Sequence, residues 1–310
     1  MEEGVTRRAK WSWERIAKEH VKEIREEQEW ISQLRQNVAD ELTDNPIHLV
    51  ALPAALSDLV PAFAAEAVEL FATSVDDGWS GLFDCWAIQS WKLYAWANVF
   101  DSGLISPIGK RLGTWYTGEV FESAFYCAMS RGVARSRLSS WITRRVVQEL
   151  REPSGLFENV TRIDPLFWFV LELCAVNGDD VELSELQSHT KYDPGEYAEI
   201  LANWNDEKAL HDAILRAADA RCDRSLDEDS ELSWFLPSVI PAEFWLLQAV
   251  RARKGLNTPQ VDHPLFNSPL AESPSACPVI SNELLARVVS ACRQGAESLE
   301  TRMALDASWW

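Results

Sequence analysis

Five histidines and six cysteines are the side chains of this 310-residue chain best suited to metal binding or nucleophilic catalysis, and they are dispersed. The histidines stand at 20, 48, 189, 211 and 263, whereas a zinc centre needs His or Cys gathered at short spacing. The cysteines, at 85, 127, 174, 222, 277 and 292, form no CxxC pair. Cys85, Cys127 and Cys174 fall within apolar helical patterns, where a reduced thiol behaves as a small hydrophobe. No GxSxG elbow, GxxxxGK[ST] loop or GxGxxG turn occurs. Asn205, Asp206, His211 and Asp212 come nearest to a ligand set, but positions 206 and 211 point differently around a helix. The pair Asp76 and Asp77 suggests metal chemistry until positions 80 and 81 prove to be Ser and Gly; with Gly78 the pair reads as a turn leading into a helix. These patterns assign no catalytic residue, metal or cofactor.

Carboxylates are the abundant reactive group. The formal net charge is −19, from 29 basic and 48 acidic side chains, and it is unevenly placed. Residues 152–235 hold 6 Lys and Arg against 20 Asp and Glu, while residues 107–151 hold 8 against 3. Arg131, Arg135, Arg137, Arg144, Arg145 and Arg151 form the one basic island. A field of the acidic sign repels nucleic acid and anionic membrane, and it steers a basic protein partner inward. Two runs mark the acidic region most strongly: Asp179, Asp180, Glu182 and Glu185, and Asp227, Glu228, Asp229 and Glu231.

Helices must position all of these groups. Asp76 to Phe100 is apolar nearly all round at helical spacing and holds four tryptophans, so it predicts a buried central helix with Cys85, Gln89 and Lys92 as its only wettable strip. A first helix is expected from Trp13 to Leu42, with His20 packed on its apolar stripe. Pro46 to Ser74 reads as a short helix, a break, and a second helix capped by Ser57 or Asp58. Helices over 114–131, ended by Gly132, and over 136–151 follow. Asp164 and Pro165 signal a helix closing at Asn177 and Gly178. Asp193 and Pro194 start one running to Trp204, and Asp206 caps another running to Arg224. Pro241 to Lys254 is a helix stopped by Gly255. The Pro-rich stretch beyond it lacks periodicity, so docking of Val261, Leu265, Phe266 and Leu270 must order it. Ser281 caps a last helix. No strand alternation appears. The expectation is an all-α protein of about ten helices packed around the Trp-rich one, in two halves, 1–152 and an acidic 153–310, that share one core. The charged N-terminus lacks a secretory apolar run, which implies a cytoplasmic protein.

The passage Ile240 to Leu270, IPAEFWLLQAVRARKGLNTPQVDHPLFNSPL, resembles the C-terminal part of helical immunity proteins that bacteria pair with polymorphic or type VI-delivered toxins. There an apolar helix containing a Glu leads into a loop with His-Pro or Tyr-Pro and Leu. The resemblance implies a non-enzymatic helical protein that binds a cognate toxin and covers its active site. A nuclease toxin, whose cleft is positive, suits the acidic half, and the two acidic runs are the expected contact. His263 and Phe266 in the Pro-rich loop are the second candidate. A homodimer is compatible with this reading. The alternative is a metal-dependent, all-helical hydrolase using the carboxylates near His211.

Overall fold

The structure, a computed structural model, describes residues 11–26, 28–42, 52–71, 74–101, 164–178, 183–189, 191–227, 235–271 and 283–295, with single positions between 121 and 147 and at 230 and 232. Among these residues there are eleven α-helices, two 3-10 turns and no strand. The fold is all-α, as the apolar spacing predicts. The helices are α1 (Trp13–Glu26), α2 (Gln28–Glu41), α3 (Leu52–Phe71), α4 (Val75–Asp101), α5 (Pro165–Asn177), α6 (Leu183–His189), α7 (Ala198–Ala202), α8 (Glu207–Ser225), α9 (Phe235–Val239), α10 (Ala242–Arg253) and α11 (Glu283–Gly295). Two compact units are present. One comprises residues 1–18, 116–135 and 159–275; the other comprises 19–115, 136–158 and 276–310. Each therefore draws on sequence from both sides of residue 153.

The second unit is built on the hairpin of α3 and α4, the most extensive helix pairing in the chain. Trp79, Leu82, Phe83, Trp86, Ile88 and Trp91 of α4 are all buried. Edge-on contacts join Phe71 to Trp79 at 5.4 Å and Phe83 to Trp86 at 5.7 Å between ring centroids. Gly81 lets the helices close, because a Cβ there would stand 3.0 Å from the backbone of Ala67. The described residues of the Trp-rich helix from position 78 to position 92 are buried or half-buried, as expected for that part, but its polar strip is not wet. Cys85, Gln89 and Lys92 are buried with their neighbours, so helical spacing located the face and overestimated its exposure.

Two further expectations for this unit are corrected. The break expected within Pro46 to Ser74, with Ser57 or Asp58 capping a second helix, is absent: α3 runs unbroken from Leu52 to Phe71 through Ser57, Asp58 and Pro61. The missing proline N–H forfeits one ladder bond, and burial of Leu56, Leu59, Phe63, Ala64 and Ala67 offsets that loss. The cap of α4 is not the Asp-Asp-Gly turn. Ser74 Oγ accepts from the Asp77 backbone N–H at 3.3 Å, and Asp76 and Asp77 sit exposed in the first turn, where carboxylates complement the helix dipole. The stretch expected as one helix from Trp13 to Leu42 is helical over Trp13–Glu26 and Gln28–Glu41, with position 27 outside the described residues.

In the first unit α5 is buried along most of its length and packs on α10. Its ends follow the sequence signals: Asp164 Oδ1 accepts from Leu166 N–H at 2.8 Å, Pro165 fills the first turn, and Gly178 closes the helix at φ 89°. Asp206 caps α8 by accepting from Lys208 and Ala209 N–H. The Asp193-Pro194 signal opens a 3-10 turn over Gly195–Tyr197 before the short α7, not a continuous helix to Trp204. Gly132, expected to end a helix, is itself helical, and its bare Cα faces Trp245, whose Cβ would lie 2.7 Å from an added methyl. Phe121, Phe125 and Met129 are buried. The cap expected at Ser281 and, Arg144 apart, the basic island lie outside the described residues.

Candidate binding surfaces

Helix α8 carries the charge of the first unit, and its three arginines are all committed. Arg221 is fully buried: Nε donates to Glu243 Oε1 at 2.5 Å, and the Nη groups donate to the carbonyls of Pro237, Ser238 and Ile240 at 2.5, 3.4 and 2.6 Å. Tyr197 Oη donates to the same carboxylate oxygen at 3.2 Å, and burial followed by the Glu243 charge raises its pKa well above the ordinary tyrosine value. Arg224 bridges Asp164 and Glu196. Burial works against the Arg224 charge, and those two carboxylates more than offset it. Arg216 clamps Glu199. Nearby, burial pushes the Cys222 thiol up to about 12.

Pairing therefore consumes the arginines of α8, and beside the exposed Lys208 the helix turns mainly carboxylates outward. Glu207, Asp212 and Asp227 are exposed, with Asp219 and Asp223 half-buried on the same helix. At helical spacing, positions 212, 219 and 223 share a face. Asp227 follows the helix, with its N–H on the Arg224 carbonyl at 3.2 Å. Among the other residues of the two acidic runs, Glu185 belongs to α6, while Asp179, Asp180, Glu182, Glu228, Asp229 and Glu231 lie outside the described residues. His211 Nδ1 stands 3.1 Å from Asp212 Oδ1, and among the described residues no three potential ligands gather in a way that could hold a metal.

The second surface is the Pro-rich loop after α10, described as far as Ala271; of the four side chains expected to dock it, Leu265 and Leu270 do so, while Val261 and Phe266 are half-buried and line a cleft. Leu265 and Leu270 are fully buried. Arg251 pins the start of the loop by donating through Nε and Nη2 to the Asn257 carbonyl and through Nη1 to the Trp204 carbonyl, with its guanidinium 5.1 Å from the centre of the Trp204 ring. His263 pins the middle. Its Nδ1 accepts from Leu265 N–H at 3.1 Å, which leaves Nε2 to donate to Asp219 Oδ1 at 3.1 Å. At the far end Trp245 Nε1 donates to the Ala271 carbonyl at 2.9 Å.

His263 is 1 % exposed and so holds the loop from inside, whereas Phe266 reaches the surface. Rings run stepwise from the core to that point: Phe169 stacks on Tyr197 at 4.5 Å, Tyr197 meets Phe244 at 6.3 Å, and Phe244 meets Phe266 edge-on at 5.2 Å.

Between α10 and the loop lies an open cleft of about 930 Å³. Phe244, Leu247 and Phe266 form its apolar floor; Gln248, Asn257, Gln260 and Asn267 form its rim, and among the described residues Asp262 is its only acidic or basic lining residue. The Thr258 hydroxyl is buried behind the rim with no hydrogen-bond partner among the described residues. The cleft could not be read from sequence, because helical periodicity says nothing about a loop whose shape depends on contacts with Asp219 and Trp204. Among the described residues, no helix is long and apolar enough to cross a membrane. No family model, no curated protein and no solved structure matches the chain.

Proposed function

We propose that this chain is a cytoplasmic immunity protein that binds a basic toxin domain, a nuclease by preference, and covers its catalytic cleft. One observation carries the reading: every arginine of α8 is paired with a carboxylate of its own unit, so, the arginines apart, at the exposed and half-buried positions from 207 to 227 Lys208 stands against Glu207, Asp212, Asp219, Asp223 and Asp227. A positive phosphate-binding cleft is the complementary surface, and steered association gives the speed that self-protection needs. The resemblance of Ile240 to Leu270 to immunity proteins supports the same reading.

The test is to sequence the neighbourhood of the gene and to express a toxic effector found encoded there with and without the chain. Rescue of growth, and a complex whose association slows as salt rises, is the expected result. The variant Asp212→Asn/Asp223→Asn/Asp227→Asn should stay folded, associate more slowly and lose most of that salt dependence. An effector whose toxicity the wild-type chain leaves untouched overturns the proposal.

A further inference from the structure

We infer that the cleft beside α10 binds a short extended peptide of a partner protein, apolar at its centre and carrying Lys or Arg at one end. The inference rests on the protein-binding reading above, but it uses neither the acidic edge of α8 nor the partner's identity.

The first observation concerns main chain. Seven consecutive residues, Leu256 to Asp262, line the cleft, and the chain there has no helix, strand or turn. The N–H groups of Thr258, Gln260 and Val261, and the carbonyls of Thr258, Pro259, Gln260 and Val261, meet no hydrogen-bond partner among the described residues. Main-chain groups are almost always paired in a folded protein, and an unpaired row along a groove is a template for an added strand.

The second observation is the rim. The carboxamides of Gln248, Asn257 and Gln260 have no protein partner among the described residues, and each both donates and accepts, as a peptide unit does. Phe244, Leu247 and Phe266 offer a floor for one apolar side chain. Charge sets direction. Asp262, which accepts from Asn267 Nδ2 at 3.3 Å, is the charged lining residue among those described, and its carboxylate favours a cation at that end. A neutral sugar could use the carboxamides but would leave the main-chain row unmatched. The cleft is also formed in advance, because Arg251, His263 and Trp245 tie the loop down at three points. Preorganisation of this kind spares a ligand the cost of ordering its site.

The experiment screens the full-length protein against an arrayed library of random peptides about seven residues long and measures the selected peptides by fluorescence anisotropy. The expected result is a shared apolar centre flanked by a basic residue, with affinity lowered about tenfold by N-methylation of the central peptide bonds and by Gln248→Ala/Gln260→Ala. Amides from Leu256 to His263 should gain protection from hydrogen exchange on binding, which a purely structural loop would not show. Asp212→Asn/Asp227→Asn should leave this affinity unchanged. Selection of polybasic peptides alone, insensitivity to N-methylation, selection of nothing, or displacement of the peptide by neutral oligosaccharides each overturns the inference. Toxin rescue without peptide binding would remove only the cleft from the reading, and peptide binding without rescue would remove only the toxin.

Discussion

Arg221 and Glu243, 22 residues apart, meet at 2.5 Å with both side chains sealed from solvent, and they join α8 to α10. Glu243 Oε1 takes both the guanidinium and the Tyr197 hydroxyl, while Oε2 has no partner among the described residues. Removing one member of a buried pair strands the other, so Glu243→Ala should cost about 3–5 kcal/mol. Glu243→Gln keeps an acceptor at Oε1 and should cost less. Arg221→Met should cost at least as much as Glu243→Ala, because it also abandons the three carbonyls of Pro237, Ser238 and Ile240. Denaturant midpoints followed by Trp fluorescence will rank the three variants, and equal midpoints would contradict a sealed pair.

Gly78 should behave opposite to an ordinary helical glycine. Gly to Ala inside a helix gains up to about 1 kcal/mol, but a Cβ at position 78 would lie 2.3 Å from the Phe71 ring. Gly78→Ala should therefore lower stability by about 1–3 kcal/mol, the usual cost of overpacking. Trimming the ring in Gly78→Ala/Phe71→Leu should recover part of that loss. Thermal unfolding of the single and double variants checks the sign.

Asp84 should make the chain less stable as pH rises through the mildly acidic range. Burial in α4 lifts its pKa from 3.8 to about 6, so between those values the folded state holds a proton that the unfolded state has released. Stability attributable to Asp84 is therefore greatest below about 3.8, falls as pH rises to about 6, and stays low above that. The variant Asp84→Asn lacks this loss and should gain on the wild type across the same window. A constant difference in thermal midpoint between the two proteins from pH 4 to pH 7 would rule it out.

The two aspartate caps should differ in worth. Asp206 is exposed and only caps α8, so Asp206→Ala should cost about 1 kcal/mol. Asp164 caps α5 and also faces the partly buried Arg224, so Asp164→Ala should cost clearly more. Urea titrations of the two variants make the comparison.

Those caps also mark what could be read in advance. Asp164, Pro165, Gly178, Asp206 and Gly255 act through chemistry confined to one turn, and the structure puts helix ends where their types require. Pro61 misled because tertiary burial outweighs a local penalty. Gln89 and Lys92 misled because α4 is covered on the side that its polarity marked as open. Of the candidate surfaces, the outward charge was foreshadowed by composition. The pairing that sharpens it was not: nothing local tells Arg221 to choose Glu243, or Arg224 to choose Asp164, 60 residues away. His263 was noticed as part of a His-Pro motif, yet its work is internal, which only its contact with Asp219 reveals.

Because one unit needs residues 1–18 together with 159–275, and the other needs 19–115 together with 276–310, neither can finish folding before the ribosome has passed residue 275. The tryptophan-bearing α4 leaves the exit tunnel well before α11, which packs on it and is made more than 180 residues later. At about 5–20 residues per second, that apolar helix waits roughly ten to forty seconds for its final cover. Nascent chains should therefore engage chaperones over this interval, and a rare-codon pause placed after residue 101 should lower the soluble yield more than one placed after residue 42, before α4 is made.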